Sequence, residues 1–204
     1  MKTPNMASRA LLVAAIPGFL ALSGAGPAEA NDEACRPLIS KIQEADKART
    51  KVRAYSENFQ NGKLFLRSTQ LIERMGDFMV ESIDQKQWSR QYKGGFYSST
   101  DGKTWSVVSP QDPDWRDKWN EQNKAISADA FDLKCDFSET IDGKEYSGLQ
   151  YRIKKEKPHK LDYLATQIFD PETFELVRST NLMGNFEIVT TYEKDETISL
   201  PSPE

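Results

Sequence analysis

The chain has 204 residues, with 27 Lys and Arg, 31 Asp and Glu, a formal net charge of -4 and 38% hydrophobic side chains. That length favours one domain or at most two small ones, and the acidic balance removes the electrostatic basis of nucleic-acid binding, which runs on phosphate neutralisation by Lys and Arg. One histidine and two cysteines are too few for a Cys/His zinc site, which wants about four such ligands, so neither a metal nor a cofactor is expected.

Lys2 and Arg9 precede an apolar stretch, Ala10 to Leu22, that is broken by Pro17 and Gly18 and runs on to Ala28-Glu29-Ala30. A basic start, an apolar stretch of about thirteen residues and a small-residue cleavage site organise a secretory signal peptide. The stretch falls short of the ~20 apolar residues that a membrane anchor needs. Residues 1–30 are therefore read as a leader cut after Ala30, and residues 31–204 as a single periplasmic domain with no transmembrane segment. Asn31-Asp32-Glu33-Ala34 is too polar and acidic to make Cys35 a lipidation site. Cys35 and Cys135 are an even pair in an exported chain, which favours a disulfide over two separate buried thiols. Closing a loop of ~100 residues restricts the unfolded chain by about 4.7 kcal/mol on the loop-entropy model.

From Asp32 to Arg53, Cys35, Leu38, Ile39, Ile42, Ala45 and Val52 recur at three- and four-residue steps between charged residues. This predicts an amphipathic helix with Pro37 in its first turn. Thereafter β-formers run in short segments bounded by Gly, Pro, Asn and Asp. They predict strands at Ala54 to Gln60, Lys63 to Met75, Asp77 to Ile83, Gln87 to Tyr92, Phe96 to Ser99 and Thr104 to Val108. More follow at Leu133 to Thr140, Glu145 to Lys154, Leu161 to Phe169, Phe174 to Asn181 and Asn185 to Lys194, making about eleven. Asn61-Gly62, Asp101-Gly102, Asp142-Gly143 and Asp170-Pro171-Glu172-Thr173 are turn sequences, and short hairpins imply antiparallel neighbours. Pro113 to Ala128 interrupts the series as a second helix, with Trp115, Trp119 and Ile126 near one stripe. The fold class is α+β: a large curved antiparallel sheet, an unclosed barrel, with both helices on its concave face.

Aromatic residues gather in the middle strands at Trp88, Tyr92, Phe96, Tyr97 and Trp105, and on the second helix at Trp115 and Trp119. Strand alternation puts Trp88, Arg90 and Tyr92 on one face; Phe78 and Val80 are expected on opposite faces. Core packing and the lining of an apolar ligand cavity both fit this cluster. On the second reading Phe78, Val80, Trp88, Tyr92, Phe96, Trp105, Trp115 and Trp119 line the cavity, and Arg90 meets a head group.

Catalysis finds little support. His159, between Pro158 and Lys160 at a turn, is the one imidazole for any Ser-His or Cys-His site, and no G-x-S-x-G elbow occurs. Asp112, Asp114 and Asp117 fail the calcium-loop pattern and suit the start of a helix. Lys154-Lys155-Glu156-Lys157 with Lys160 forms a basic run that reads as a solvated hairpin tip or as a contact for anionic head groups.

The order of leader, helix, Arg67-Ser68-Thr69-Gln70-Leu71-Ile72, Gly95-Phe96-Tyr97-Ser98-Ser99-Thr100-Asp101-Gly102-Lys103-Thr104-Trp105, then Asp170 to Arg178 and Ile198-Ser199-Leu200-Pro201 resembles the LolA/LolB-like superfamily of periplasmic lipoprotein carriers. The resemblance spans residues 33 to 201 and consists of strand order and turn chemistry. It implies an unclosed barrel whose apolar cavity carries acyl chains of lipids or lipoproteins. The long-range cysteine pair departs from that pattern. The expected function is a non-enzymatic binding protein that shelters an apolar ligand. The alternative is an envelope interaction module with a filled core and a protein partner.

Overall fold

The computed structural model describes residues 32–156, 159 and 161–203. The signal segment, its cleavage after Ala30, and Lys157 and Lys160 of the basic run lie outside the described residues. The elements in chain order are α1 (Asp32–Ala48), β1 (Thr50–Gln60), β2 (Lys63–Arg74), β3 (Asp77–Ser82), β4 (Gln87–Tyr92), β5 (Gly95–Ser99) and β6 (Ser106–Ser109). Then come α2 (Trp115–Asp129), β7 (Phe131–Lys134), β8 (Ser138–Ile141), β9 (Lys144–Ile153), β10 (Tyr163–Phe169), β11 (Leu176–Met183) and β12 (Phe186–Lys194).

The strands form one antiparallel sheet in the order β6-β5-β4-β3-β2-β1-β12-β11-β10-β9-β7, with β8 paired to β9. β6 and β7, at opposite ends, do not pair, so the barrel is unclosed. This is the expected α+β class, with corrections. The described strands number twelve, because the predicted strand Leu133 to Thr140 divides into β7 and β8 on either side of Cys135. The first helix ends at Ala48, not Arg53, since Val52 and Arg53 are claimed by β12 and β2 on either side. Pro37 lies inside α1 instead of in its first turn. The second helix starts and ends slightly later than predicted.

Turn chemistry sets the hairpins. Asn61 (φ 52°) and Gly62 (φ 72°) join β1 to β2, and Asp142 (φ 51°) and Gly143 (φ 81°) join β8 to β9, the positive-φ pairs of tight antiparallel turns. The hairpin turns of β1–β2, β3–β4 and β11–β12 define one rim of the sheet, here the upper rim. Gly76 and Gly94, which close β2–β3 and β4–β5, lie on the lower rim.

α1 packs on what we term the inner face. Cys35, Ile39 and Ile42 bury against Leu133 of β7, Leu149, Tyr151 and Ile153 of β9, and Ala165 and Phe169 of β10. The Cys35–Cys135 disulfide, with Cα atoms 5.6 Å apart, ties the start of the helix to this cluster, and the Leu133 N–H donates to Asp32 Oδ1 at 2.9 Å. The outer face carries a second buried group, at the other end of the sheet. Leu71, Met79, Arg90 and Tyr97 are paired in succession across β2 to β5 and so share a side; Arg90 is 1% and Tyr97 5% exposed. The segment after β12 crosses this side. Asp195 accepts two hydrogen bonds from the Arg53 guanidinium, at 2.9 and 2.6 Å, the Leu200 N–H donates to Glu73, and Arg90 donates to the Pro201 carbonyl. Ile198, on the same segment, is buried.

Candidate functional site

α2 crosses the inner face diagonally, and its two ends are fixed by different means. At its start the Trp115 ring occupies the space over Gly76 and Gly94, where a Cβ would fall 2.0 Å and 2.7 Å from ring atoms. Both glycines also have positive φ, 73° and 77°, so conformation and space alike require them. Asp112 braces this end, accepting from the Asp114 N–H at 3.0 Å and from Lys118 Nζ at 2.7 Å. Lys118, first among the causes, holds the Asp112 carboxyl below its ordinary range. At the far end the Arg36 guanidinium of α1 donates to the carbonyls of Ser127, Ala128 and Ala130 at 2.8, 3.1 and 2.9 Å. These are carbonyls that a helix end leaves unpaired, and a cation there also suits the helix dipole. Between the anchors, Gln43 exchanges hydrogen bonds with Asn123 and Ser127, and Lys47 lies over the Trp119 ring. No residue of α2 is buried.

Beneath the helix, on the side away from α1, is a cavity of about 790 Å³, within the range of small-ligand sites. Lys118, Glu121, Gln122 and Ile126 of α2 form its roof, one stripe at helical spacing. Tyr151, Tyr163, Asn181, Met183 and Ile188 form its floor across four neighbouring strands, and His159 and Leu161 close its upper-rim end. The register explains the floor: Tyr151 pairs with Ala165, Ala165 with Asn181, and Asn181 with Ile188, so all face inward. The Tyr151 and Tyr163 rings meet edge to face with centroids 6.5 Å apart. Burial pushes both phenols up, so both present neutral hydroxyls in ordinary buffers. His159 Nε2 lies 2.9 Å from Asp129 Oδ2, at the last residue of α2.

The residues singled out from sequence are placed elsewhere. Phe78 and Val80 share the inner face, since residues two apart in a strand point the same way; their expected opposite facing misapplied the alternation. Val80 pairs with Ser89, so Trp88, Arg90 and Tyr92 do share a face, but it is the outer one. Arg90 forms a buried ion pair with Asp77, whose side chain is 7% exposed. Trp88 lies against Gly102. Phe96 faces inward and is 46% exposed. Trp105 precedes β6, which begins at Ser106 and not at Thr104. Tyr92 and Trp115 line a smaller hollow of about 380 Å³ on the lower rim. None of the nine is among the residues lining the larger cavity. That cavity was missed because Tyr151, Tyr163, Met183 and Ile188 lie far apart in the chain. The alternation Tyr151/Ile153 and Asn181/Met183 was the available signal.

No protein-family model and no curated protein matches the sequence. Solved structures do match in fold. LppX, a lipoprotein of Mycobacterium tuberculosis, superimposes with a TM-score of 0.55 at 16% identity, covering 83% of this chain and 100% of that one. LprF of Mycobacterium bovis gives 0.53 at 11% identity, over 84% and 97%. A LolA superfamily protein, NE2245 of Nitrosomonas europaea, aligns over 78% and 94% at 11% identity with a TM-score of 0.35. At the level of fold the chain resembles LppX and LprF. The disulfide fits an exported protein. No helix among the described residues is long and apolar enough to cross a membrane.

Proposed function

We propose that this protein is a non-enzymatic periplasmic binding protein that shelters an acyl chain beneath α2. It is exported by residues 1–30, cut after Ala30, and folds as one domain over residues 31–204. The observation that carries the reading is the cavity of about 790 Å³ with Ile126, Leu161, Met183, Ile188 and two tyrosine rings on its walls. These apolar side chains under a polar roof of Lys118, Glu121 and Gln122 suit a hydrocarbon tail, whose transfer from water is favourable by ~25 cal/mol per Å² buried. The fold shared with the lipoprotein LppX supports the reading.

The test is native mass spectrometry of protein purified from its own periplasm, with titration of a fluorescent fatty-acyl probe. A co-purifying lipid and saturable probe binding are expected. A Met183→Asp, Ile188→Asp double variant should weaken the probe by about tenfold or more, because a carboxylate placed there must be desolvated by the tail. Neither lipid nor saturable binding would sink the carrier reading in favour of an interaction module.

A further inference from the structure

The inner face changes character just beyond the cavity. Ile188, on the cavity floor, pairs with Asn58 of β1. The neighbouring row runs Ser179, Thr190, Ser56, Ser68 and Ser82, each paired with the next across β11, β12, β1, β2 and β3. Five successive strands thus place a small hydroxyl at one level. The nearby charged residues Glu57, Arg67, Glu81 and Glu187 all alternate to the outer face.

That sorting is unusual for a face bathed only by water, where Lys, Arg, Glu and Asp ordinarily collect. It is equally unlike a core, which takes apolar side chains. The row also retains unused hydrogen-bonding capacity. Ser56 Oγ and Thr190 Oγ1 lie 2.9 Å apart, but Ser82 Oγ at one end is buried without a hydrogen-bond partner. So is Oε1 of Gln167, which pairs with Ser179 at the other end. The basic side chains on the cavity walls are already engaged: Lys118 with Asp112 and His159 with Asp129.

From this we infer a second subsite: the hydroxyl row receives an uncharged, hydroxyl-bearing head group of an amphiphile whose tail enters the cavity under α2. The inference rests on the acyl-binding reading and names the ligand class within it. Hydroxyl and amide side chains both donate and accept, which matches the hydroxyls of a glycerol or a sugar. A carboxylate or phosphate head would be desolvated here against hydroxyl and amide side chains that carry no countercharge.

Competition against the fluorescent acyl probe tests this, with monolauroylglycerol, lauryl glucoside and laurate, which share one tail. The two hydroxyl-headed lipids should bind about tenfold tighter than laurate, the worth of one or two net hydrogen bonds; whichever of them binds better identifies glycerol or sugar as the source of the hydroxyls. Replacing Ser56→Ala, Ser68→Ala and Thr190→Val together should erase that preference and leave laurate unchanged. Ser68→Lys should turn the preference toward laurate, which a merely loosened sheet would not do. Laurate binding as tightly as the neutral lipids, or a preference unmoved in the folded triple variant, overturns the head-group subsite and leaves the acyl-binding reading standing. If none of the three displaces the probe and the probe itself fails to bind, the acyl-binding reading falls first.

Discussion

The two ends of the sheet bury opposite faces. Toward β9 and β10, Leu149, Tyr151, Ile153 and Ala165 point inward beneath α1, and the disulfide closes over them. Toward β2 to β5, the buried Arg90 and Tyr97 point outward beneath the segment that carries Ile198. One continuous sheet therefore serves two cores. Period-two alternation permits this, because the buried face is a matter of which alternate residues are apolar, strand by strand. In β1 the changeover occurs within a strand: Val52 and Ala54 are buried on the inner side, and Ser56 and Asn58 follow them on that side. By moving outward, the second core leaves the inner face of β1 to β3 beyond Ala54 without a packed helix over it and open to another use.

Either core can be perturbed alone. The largest effect is expected from removing the disulfide with Cys35→Ala and Cys135→Ala, which should cost about 4.7 kcal/mol by loop entropy, read as a fall in the urea midpoint. The loss should be greatest in amide exchange of α1, β7 and β9, with β3 to β5 retaining protection. Next, Arg90→Ala leaves the buried Asp77 carboxylate with only the exposed Arg74, at 3.6 Å, and should cost about 3 kcal/mol. Replacing both partners by apolar residues, Arg90→Met with Asp77→Leu, should recover most of that loss; failure to recover would mean that the outer core depends on the charges themselves. Leu149→Ala, at a position with no exposed surface, should cost about 3 kcal/mol through lost burial and a residual cavity, and should leave the Arg90 region protected from exchange.

The smallest effect concerns Asp195, which starts the covering of the outer face. Its carboxyl is held down to about 2, first by the Thr197 hydroxyl and then by Arg53, against an ordinary value of about 3.9. A folded-state value below the unfolded one adds stability above about pH 4, which is lost as the pH falls through about 2. The gap in urea midpoint between the parent and Asp195→Asn should therefore be constant near neutrality and close in acid. A gap that persisted unchanged at the lowest pH would assign the effect to packing.

Much of the architecture is legible in the sequence, since it is written in local signals. Asn61-Gly62 and Asp142-Gly143 mark hairpins, and the spacing of Ile39 and Ile42 marks a helix face. What is not legible depends on partners distant in the chain. Val52 continues the periodicity of α1, yet it pairs with Lys194 of the last strand and Ile72 of β2, and non-local pairing overrides the local pattern. The cavity suffered from the same cause. Aromatic density drew attention to Trp88, Tyr92 and Trp105, but density reports neither which face a strand buries nor which strand becomes its neighbour. The floor is assembled from β9 to β12, and its roof is encoded about twenty-five to seventy positions earlier. The hydroxyl row is written in the sequence as one serine or threonine in each of five strands, and only the register aligns them.

The diagonal helix is a beam clamped at both ends, by Trp115 over two glycines and by Arg36 on three carbonyls, and needs no support along its length to stay in place. Glu121 and Gln122 face the cavity and are exposed, so replacing them disturbs no packed core and costs little stability. The ceiling of the chamber is thereby free to vary while the clamps and the floor stay constant, so selection can retune what the chamber admits without renegotiating the fold.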